Sequence, residues 1–81
     1  MNSSREVVFQ ALATHLDIQI ENIRIGSRLA YDLGADSLDL IEAMIDVEDY
    51  YGFTFENSDI GTFETVEDIV NWVEKNVIEK A

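Results

Sequence analysis

The sequence contains no cysteine and no proline. Without cysteine, the chain has no disulfide framework, no thiolate metal site and no nucleophilic thiol of its own. Without proline, no proline-rich linker divides its 81 residues. A chain of this length holds one small core and is too short to enclose a large catalytic cleft, so we expect a single domain over residues 1–81.

Basic residues are scarce as well. Five Lys and Arg stand against seventeen Asp and Glu, which gives a formal net charge of −12, and the stretch from Leu29 to Glu74 has no Lys or Arg. Such a chain repels a phosphate backbone, so nucleic acid and anionic membranes are poor partners and basic protein surfaces are good ones. The apolar fraction of 47% indicates a folded protein rather than a disordered acidic tail.

Long apolar runs and catalytic motifs are also missing. The sequence shows no secretory h-region and no membrane-spanning run, so we expect a cytoplasmic location, or an organelle if a transit peptide has been removed. The chain has one histidine, His15, no glycine-rich phosphate loop and no His-Glu-x-x-His. A nucleophilic triad or a metal site cannot be assembled from these residues, so we predict a protein that is not an enzyme and a structural role for His15.

The spacing of apolar residues predicts an all-α fold, a small bundle of three main helices plus one short helix. Gly52 is suited to end the second helix in a left-handed conformation. Capping residues are available at each start, namely Ser3 or Ser4, then Asp36, Asn57 and Thr65. The predicted helices cover residues 4–16, 37–51, 57–61 and 65–78, and a long loop joins the first two.

The loop between the first two helices has two possible structures. Apolar and polar residues alternate over 18–25, which is typical of a β-hairpin. A lone hairpin is only marginally stable in water, and the chain offers no further strands for it to join. We therefore favour a long ordered loop anchored in the helical core. The candidate anchors are Ile20, Ile23, Ile25 and Leu29.

At 100° per residue, the second helix has an apolar face, an acidic face and an apolar ridge beside the acids. The predicted core face consists of Leu40, Ala43, Met44, Val47, Tyr50 and Tyr51. The acidic face consists of Asp39, Glu42, Asp46 and Asp49. The ridge, Leu38, Ile41 and Ile45, either contacts partners or is covered by the long loop, and the sequence leaves both interpretations open.

Ser37 stands at the start of this second helix. If Asp36 is the N-cap, Ser37 is the first helical residue and its hydroxyl is free of the capping role. Gly34 and Ala35 place little bulk around it, so we expect the hydroxyl to be exposed. An exposed serine at a helix start is usually only solvated, so this spacing alone is a hypothesis that needs context.

The context is a resemblance to the acyl carrier proteins over nearly the whole chain. It rests on Asp32-Leu33-Gly34-Ala35-Asp36-Ser37-Leu38-Asp39, followed by Glu42 and by Glu48-Asp49. The resemblance implies that Ser37 Oγ carries 4′-phosphopantetheine through a phosphodiester. A separate phosphopantetheinyl transferase would add this arm from coenzyme A with Mg²⁺, and the arm's thiol would hold acyl groups as thioesters. Ser37 would then be a substrate and not a catalytic residue.

The same resemblance implies two sets of contact residues on a monomeric carrier. Acyltransferases, ketosynthases and other acyl-processing enzymes would bind through basic patches to Asp36, Leu38, Asp39, Ile41, Glu42, Ile45, Glu48 and Asp49. Acyl chains would enter a pocket lined by Leu40, Met44, Val47, Phe55, Ile60, Phe63 and Ile69. Since the acids repel the phosphate, we expect a mobile arm.

Some residues differ from the family pattern. Phe55-Glu56-Asn57 stands where a proline is frequent, Phe55 and Phe63 are bulkier than the usual aliphatic residues, and Tyr31 replaces a frequent acid. These rings favour a small pocket, and hence a specialised carrier for polyketide-type, short or unusual acyl groups over a housekeeping fatty-acid carrier. The alternatives are a peptidyl or aminoacyl carrier, and an acidic helical adaptor that carries no cofactor and binds basic surfaces.

Overall fold

The structure is a computed structural model that describes residues 3–80, with side chains described up to residue 77. Its helices are α1 (Ser4–Leu16), α2 (Ser37–Tyr51), α3 (Asn57–Ile60) and α4 (Val66–Lys80). A single 3₁₀ turn, Ile20–Asn22, lies in the loop between α1 and α2. The prediction of an all-α fold with three main helices, one short helix and a long first loop is confirmed. None of the described helices is long and apolar enough to cross a membrane.

Short-range hydrogen bonds define where the long helices begin. At α1, the backbone N–H of Glu6 donates to Ser3 Oγ at 3.2 Å, and the backbone N–H of Ser3 donates back to Glu6 Oε1 at 3.5 Å. At α4, Thr65 and Asp68 make the same reciprocal pair at 3.1 and 3.3 Å. Such capping boxes satisfy N–H groups that have no partner inside the helix, so these starts depend on local sequence.

The short helix α3 corrects one predicted cap. Glu56, and not Asn57, occupies the N-cap position, and Asn57 is the first helical residue. The backbone N–H of Glu56 donates to Asp59 Oδ2 at 3.4 Å, and the backbone N–H of Asp59 donates to Glu56 O at 3.0 Å. The N-cap thus lies one residue before the predicted one, whereas the helix itself begins at residue 57, as the predicted range does.

The core lies where α1 packs against α2 and α4. Fully buried side chains come from all three long helices, namely Val8, Leu12, Ala43, Met44, Val47, Val66, Ile69 and Val73. Tyr50 was expected in this core, and that prediction is wrong, because its side chain is 51% exposed. It lies at the edge of the apolar face, beside Val7 and Ala11 of α1, in an open cleft between the two helices.

The first loop is an ordered segment held against α4. The backbone N–H groups of Val66 and Glu67, at the start of α4, donate to Ser27 O at 3.0 Å and Ile25 O at 2.9 Å. One isolated antiparallel bridge joins Arg28 to Thr65. The carbonyl groups of the loop therefore accept hydrogen bonds from backbone N–H groups that have no partner inside α4. The loop does not form the alternative β-hairpin.

Three of the four predicted loop anchors reach the core. Ile23 and Leu29 are buried, and Ile25 is partly buried against the same cluster. Ile20 is 37% exposed, so its predicted anchoring role is wrong. It begins the 3₁₀ turn, which has no buried residue.

A cluster of aromatic rings packs the segment after α2 against α4. Phe55 stacks on Trp72 with ring centroids 4.2 Å apart, and it meets Phe63 edge-on at 6.0 Å. Phe53 meets Trp72 edge-on at 5.4 Å. Such ring pairs add to the stabilisation from burial, which gives Trp72 a packing role.

Candidate functional site

Ser37 is the first residue of α2, and its side chain is exposed. Asp36 is the N-cap, with an extended backbone, and its Oδ1 accepts the backbone N–H of Asp39 at 2.8 Å. Since the Asp36 carboxylate makes the cap, the Ser37 hydroxyl has no hydrogen-bond partner among the described residues. The predictions of the Asp36 cap and of an exposed Ser37 are confirmed.

A tight turn places Ser37 at this point. Gly34 has a φ of +68°, a left-handed conformation that L-residues with a side chain adopt at a cost. The backbone N–H of Ala35 then donates to Leu29 O at 2.8 Å. Upstream, Asp32 Oδ2 accepts the backbone N–H of Arg28 at 2.8 Å. The turn is thus closed by its own hydrogen bonds, and Ser37 is placed by local structure.

Two clefts meet at Ser37. The α2–α3 cleft, of about 280 Å³, has an apolar wall made of Leu40, Ile41, Ile60 and Phe63. The loop-side cleft, of about 690 Å³, lies between the first loop and the start of α4. It is lined chiefly by Arg28, Leu29, Tyr31, Asp36, Leu40, Phe63 and Glu64. Leu40 and Phe63 line both, so a group attached to Ser37 would have two surfaces within reach.

The residues expected to line an acyl pocket fall into two groups. Leu40, Ile60 and Phe63 line the α2–α3 cleft. The others lie in the packed core, where Met44, Val47 and Ile69 have no exposed surface and Phe55 is 5% exposed. The structure thus brings three of the seven residues together at an open surface.

The outward face of α2 carries an exposed apolar ridge. Leu38, Ile41 and Ile45 are 62%, 37% and 47% exposed. The interpretation that the long loop covers this ridge is therefore wrong. Glu42 and Asp49 are exposed on the same helix, so apolar and acidic groups share one surface.

Some of the acids on α2 have partners within the protein. Glu48 Oε2 accepts the backbone N–H of Phe55 at 2.6 Å. Asp46 Oδ2 lies 2.7 Å from His15 Nε2, and Glu42 Oε2 lies 3.7 Å from His15 Nδ1. His15 therefore links α1 to α2, which is a structural role. Sequence spacing gives no sign of these contacts, because they depend on how the helices pack.

Arg28 and Tyr31 were not among the site residues predicted from the sequence. The Arg28 guanidinium lies 6.0 Å from the centroid of the Tyr31 ring, and the Tyr31 side chain is 85% exposed. Both residues line the loop-side cleft with Ser37. The available signal was the position of Arg28, the last basic residue before the long acidic stretch.

The arrangement suits a hydroxyl that is modified rather than one that reacts by itself. The only histidine, His15, is bound to Asp46, and the nearest charged neighbours of Ser37 in sequence, Asp36 and Asp39, belong to the helix cap. In the described part of the chain, no three His, Asp or Glu side chains come together as a metal site would require. Ser37 thus offers a free hydroxyl at a helix start, where a phosphate is favoured by backbone N–H groups.

Comparison with known proteins gives a consistent assignment. The family model for the phosphopantetheine attachment site matches residues 6–73. The acyl carrier protein of Coprothermobacter proteolyticus is 36% identical over 80 residues, covering 94% of this chain and 98% of that protein. The acyl carrier protein of Thermotoga maritima is 33% identical over 79 residues, covering 93% and 98%. The chain therefore belongs to the acyl carrier proteins, which are carriers and not enzymes and which hold 4′-phosphopantetheine as a covalently attached prosthetic group.

Proposed function

We propose that Ser37 Oγ is the attachment point of the phosphopantetheine arm. The observation that carries this proposal is the free, exposed hydroxyl of Ser37 at the start of α2, where two clefts meet. It also lies in the segment from Gly34 to Asp39 that resembles the family's attachment sequence. The carrier would then hold acyl groups on one mobile arm and present them to enzymes that do the chemistry.

The residues around Ser37 fit such a group. The N-terminus of α2 provides backbone N–H groups and a positive dipole end, which favour a phosphate. The carboxylates of Asp36 and Asp39 act in the opposite direction, through like-charge repulsion. When bound, the group supplies the thiol that a chain without cysteine lacks. Leu40 and Phe63 provide apolar walls on either side of the attachment point.

The outward face of α2 is our proposed docking surface for partner enzymes. Carriers of this family work with a phosphopantetheinyl transferase and with acyl-processing enzymes. The exposed ridge would supply apolar contacts, and the surrounding acids would meet Lys and Arg. Charges at an interface rim raise the association rate more than the affinity, which suits rapid exchange between enzymes. The proposed acids are Asp36, Asp39, Glu42, Glu48 and Asp49.

We further propose a specialised carrier for short, polyketide-type or otherwise unusual acyl groups. The support is the contact of Phe55 with Phe63 and Trp72, because Phe63 lines the α2–α3 cleft and the buried Phe55 ring packs against it. A long saturated chain would have to displace packed side chains, which costs free energy. A monomeric state and a cytoplasmic location stay predictions from the sequence.

Mass spectrometry of the intact protein tests the attachment. After incubation with coenzyme A, Mg²⁺ and a promiscuous phosphopantetheinyl transferase, the protein should gain the mass of one phosphopantetheine, and Ser37→Ala should gain none. Ser58→Ala is the matched control, since Ser58 is also an exposed serine in the first turn of a helix. A mass gain in Ser37→Ala would overturn the proposed site, and an unmodified wild-type chain would favour the cofactor-free adaptor.

A further inference from the structure

The two clefts differ in the cations that line them. Among the residues that the structure describes, Arg28 is the only Lys or Arg that lines either cleft, and it lines the loop-side cleft. The next basic residue along the chain is Lys75, so every charged side chain between them is negative. A phosphate on Ser37 would therefore have a cation on its loop side and no charged side chain on its α2–α3 side.

The Arg28 guanidinium is free to bind an anion. No carboxylate lies within 4.0 Å of it in the part of the chain that the structure describes. Asp32, the acid nearest in the turn, directs its Oδ2 to the backbone N–H of Arg28 at 2.8 Å. The guanidinium instead lies over the Tyr31 ring, 6.0 Å from its centroid. A contact with a ring face restricts the side chain and leaves its N–H donors available.

We infer that Arg28, oriented by Tyr31, binds the phosphate of the arm on Ser37 and directs the arm into the loop-side cleft. This step rests on the proposed attachment at Ser37. Guanidinium and phosphate form paired N–H···O bonds, which makes arginine the side chain best suited to this contact. The tether supplies the ligand at a high local concentration, so a weak contact suffices.

The contact is expected to be modest and reversible. Asp36 and Glu64 line the same cleft and oppose the negative charge of the phosphate. Because Arg28 is exposed, the ion pair raises the ratio of docked to free arm by roughly fivefold or less at low salt. The arm thus stays available to enzymes, and the α2–α3 cleft remains open for the acyl chain. The phosphate of the cofactor would lie in the loop-side cleft, and the acyl chain would lie in the α2–α3 cleft.

Solution NMR of the apo and holo proteins tests this inference. Modification of Ser37 should shift the Arg28 Nε–H signal, the Tyr31 ring protons and the backbone amide of Thr65 in the loop-side cleft. The amides of Ile60 and Gly61, in the α2–α3 cleft, should shift much less. Raising the salt concentration to 1 M should reduce the loop-side shifts, because screening weakens an exposed ion pair.

Two charge-removing variants separate a local contact from the overall charge. In holo Arg28→Gln, the ³¹P signal of the arm should narrow and the loop-side shifts should fall, by up to about fivefold. Arg24→Gln is the matched control, because Arg24 is an exposed arginine of the same loop that lines neither cleft. Both side chains are exposed, and an unchanged pattern of the remaining amide signals verifies that each variant folds.

The outcomes distinguish this inference from the proposed function. If the wild-type protein gains no phosphopantetheine, both are overturned. If it is modified but the loop-side signals do not move, the inference fails and the attachment at Ser37 stands. The inference also fails if Arg24→Gln and Arg28→Gln have equal effects, or if the larger shifts appear in the α2–α3 cleft.

Discussion

His15 Nε2 lies 2.7 Å from Asp46 Oδ2, so one hydrogen bond joins the end of α1 to the middle of α2. The two residues are 31 positions apart in sequence. The Asp46 carboxylate can only accept, so the imidazole N–H donates. The side chains are 22% and 49% exposed, so solvent weakens the contact without removing it.

A double-mutant cycle of His15→Gln and Asp46→Asn should therefore give a coupling energy of about 0.5–1 kcal/mol. Each single variant should lose about 1 kcal/mol of unfolding free energy, measured by urea denaturation. Asp49→Asn, on the same helix, is the control and should change stability little, since Asp49 has no ion pair among the described residues. A coupling energy of zero within error would contradict the link between the helices.

Glu48→Ala should destabilise the protein by about 1–2 kcal/mol, because it removes the acceptor for the backbone N–H of the buried residue Phe55. Glu48→Gln should lose less, since an amide oxygen still accepts a hydrogen bond. The neighbouring Asp49→Ala is the matched control, and we expect a change within about 0.5 kcal/mol. Equal losses in Glu48→Ala and Asp49→Ala on urea denaturation would show that the Phe55 contact adds no stability.

The sequence predicts the parts of this structure that depend on neighbouring residues. Asp36 is the N-cap of α2 because its carboxylate, three positions earlier in the chain, accepts the backbone N–H of Asp39. Gly52, at a φ of +80°, ends α2 because glycine adopts this conformation without strain. The free hydroxyl of Ser37 follows from the cap, so the candidate site itself could be located.

The wrong predictions, and the residues that sequence reasoning missed, depend on packing between distant segments. Ile20 was predicted to anchor the long loop in the core, but it begins a 3₁₀ turn that has no buried residue. Tyr50 lies at the edge of the apolar face, where the position of α1 decides its exposure. The cleft that Arg28 and Tyr31 share with Ser37 is completed by Glu64 and Thr65, onto which the loop folds back. The periodicity of apolar residues contains no information on the path of this loop.

Gly34→Ala should destabilise the protein by about 1 kcal/mol, because alanine is strained at a φ of +68°. Steric contact is not the cause, since an added Cβ would meet no atom within 4 Å. Gly26→Ala is the matched control, because Gly26 is equally open and has no positive φ. We expect Gly26→Ala to be neutral or slightly stabilising on urea denaturation. Equal effects of the two substitutions would mean that the left-handed turn before Ser37 does not require glycine.

Asp49→Lys should slow association with a phosphopantetheinyl transferase by about three- to tenfold at low salt, because it reverses a charge on the proposed docking surface. Stopped-flow fluorescence at several salt concentrations measures this rate, and the difference from wild type should shrink as salt rises. Glu67→Lys is the control, since Glu67 is an exposed acid on α4. If both variants slow association equally, net charge rather than the face of α2 governs the encounter.

A series of acyl groups on the arm tests the proposed small pocket. Each buried methylene adds about 0.8 kcal/mol, and 1 kcal/mol raises the melting temperature of a domain this size by about 4–8 °C. We expect the melting temperature to rise over the first few carbons and then to stay level, because Phe55 and Phe63 limit the depth of the α2–α3 cleft. In Phe63→Leu the rise should continue to longer chains. Each protein is compared with its own holo form, so the core stability lost on substitution cancels. A steady rise with long saturated chains in the wild-type protein would argue for an ordinary fatty-acid carrier.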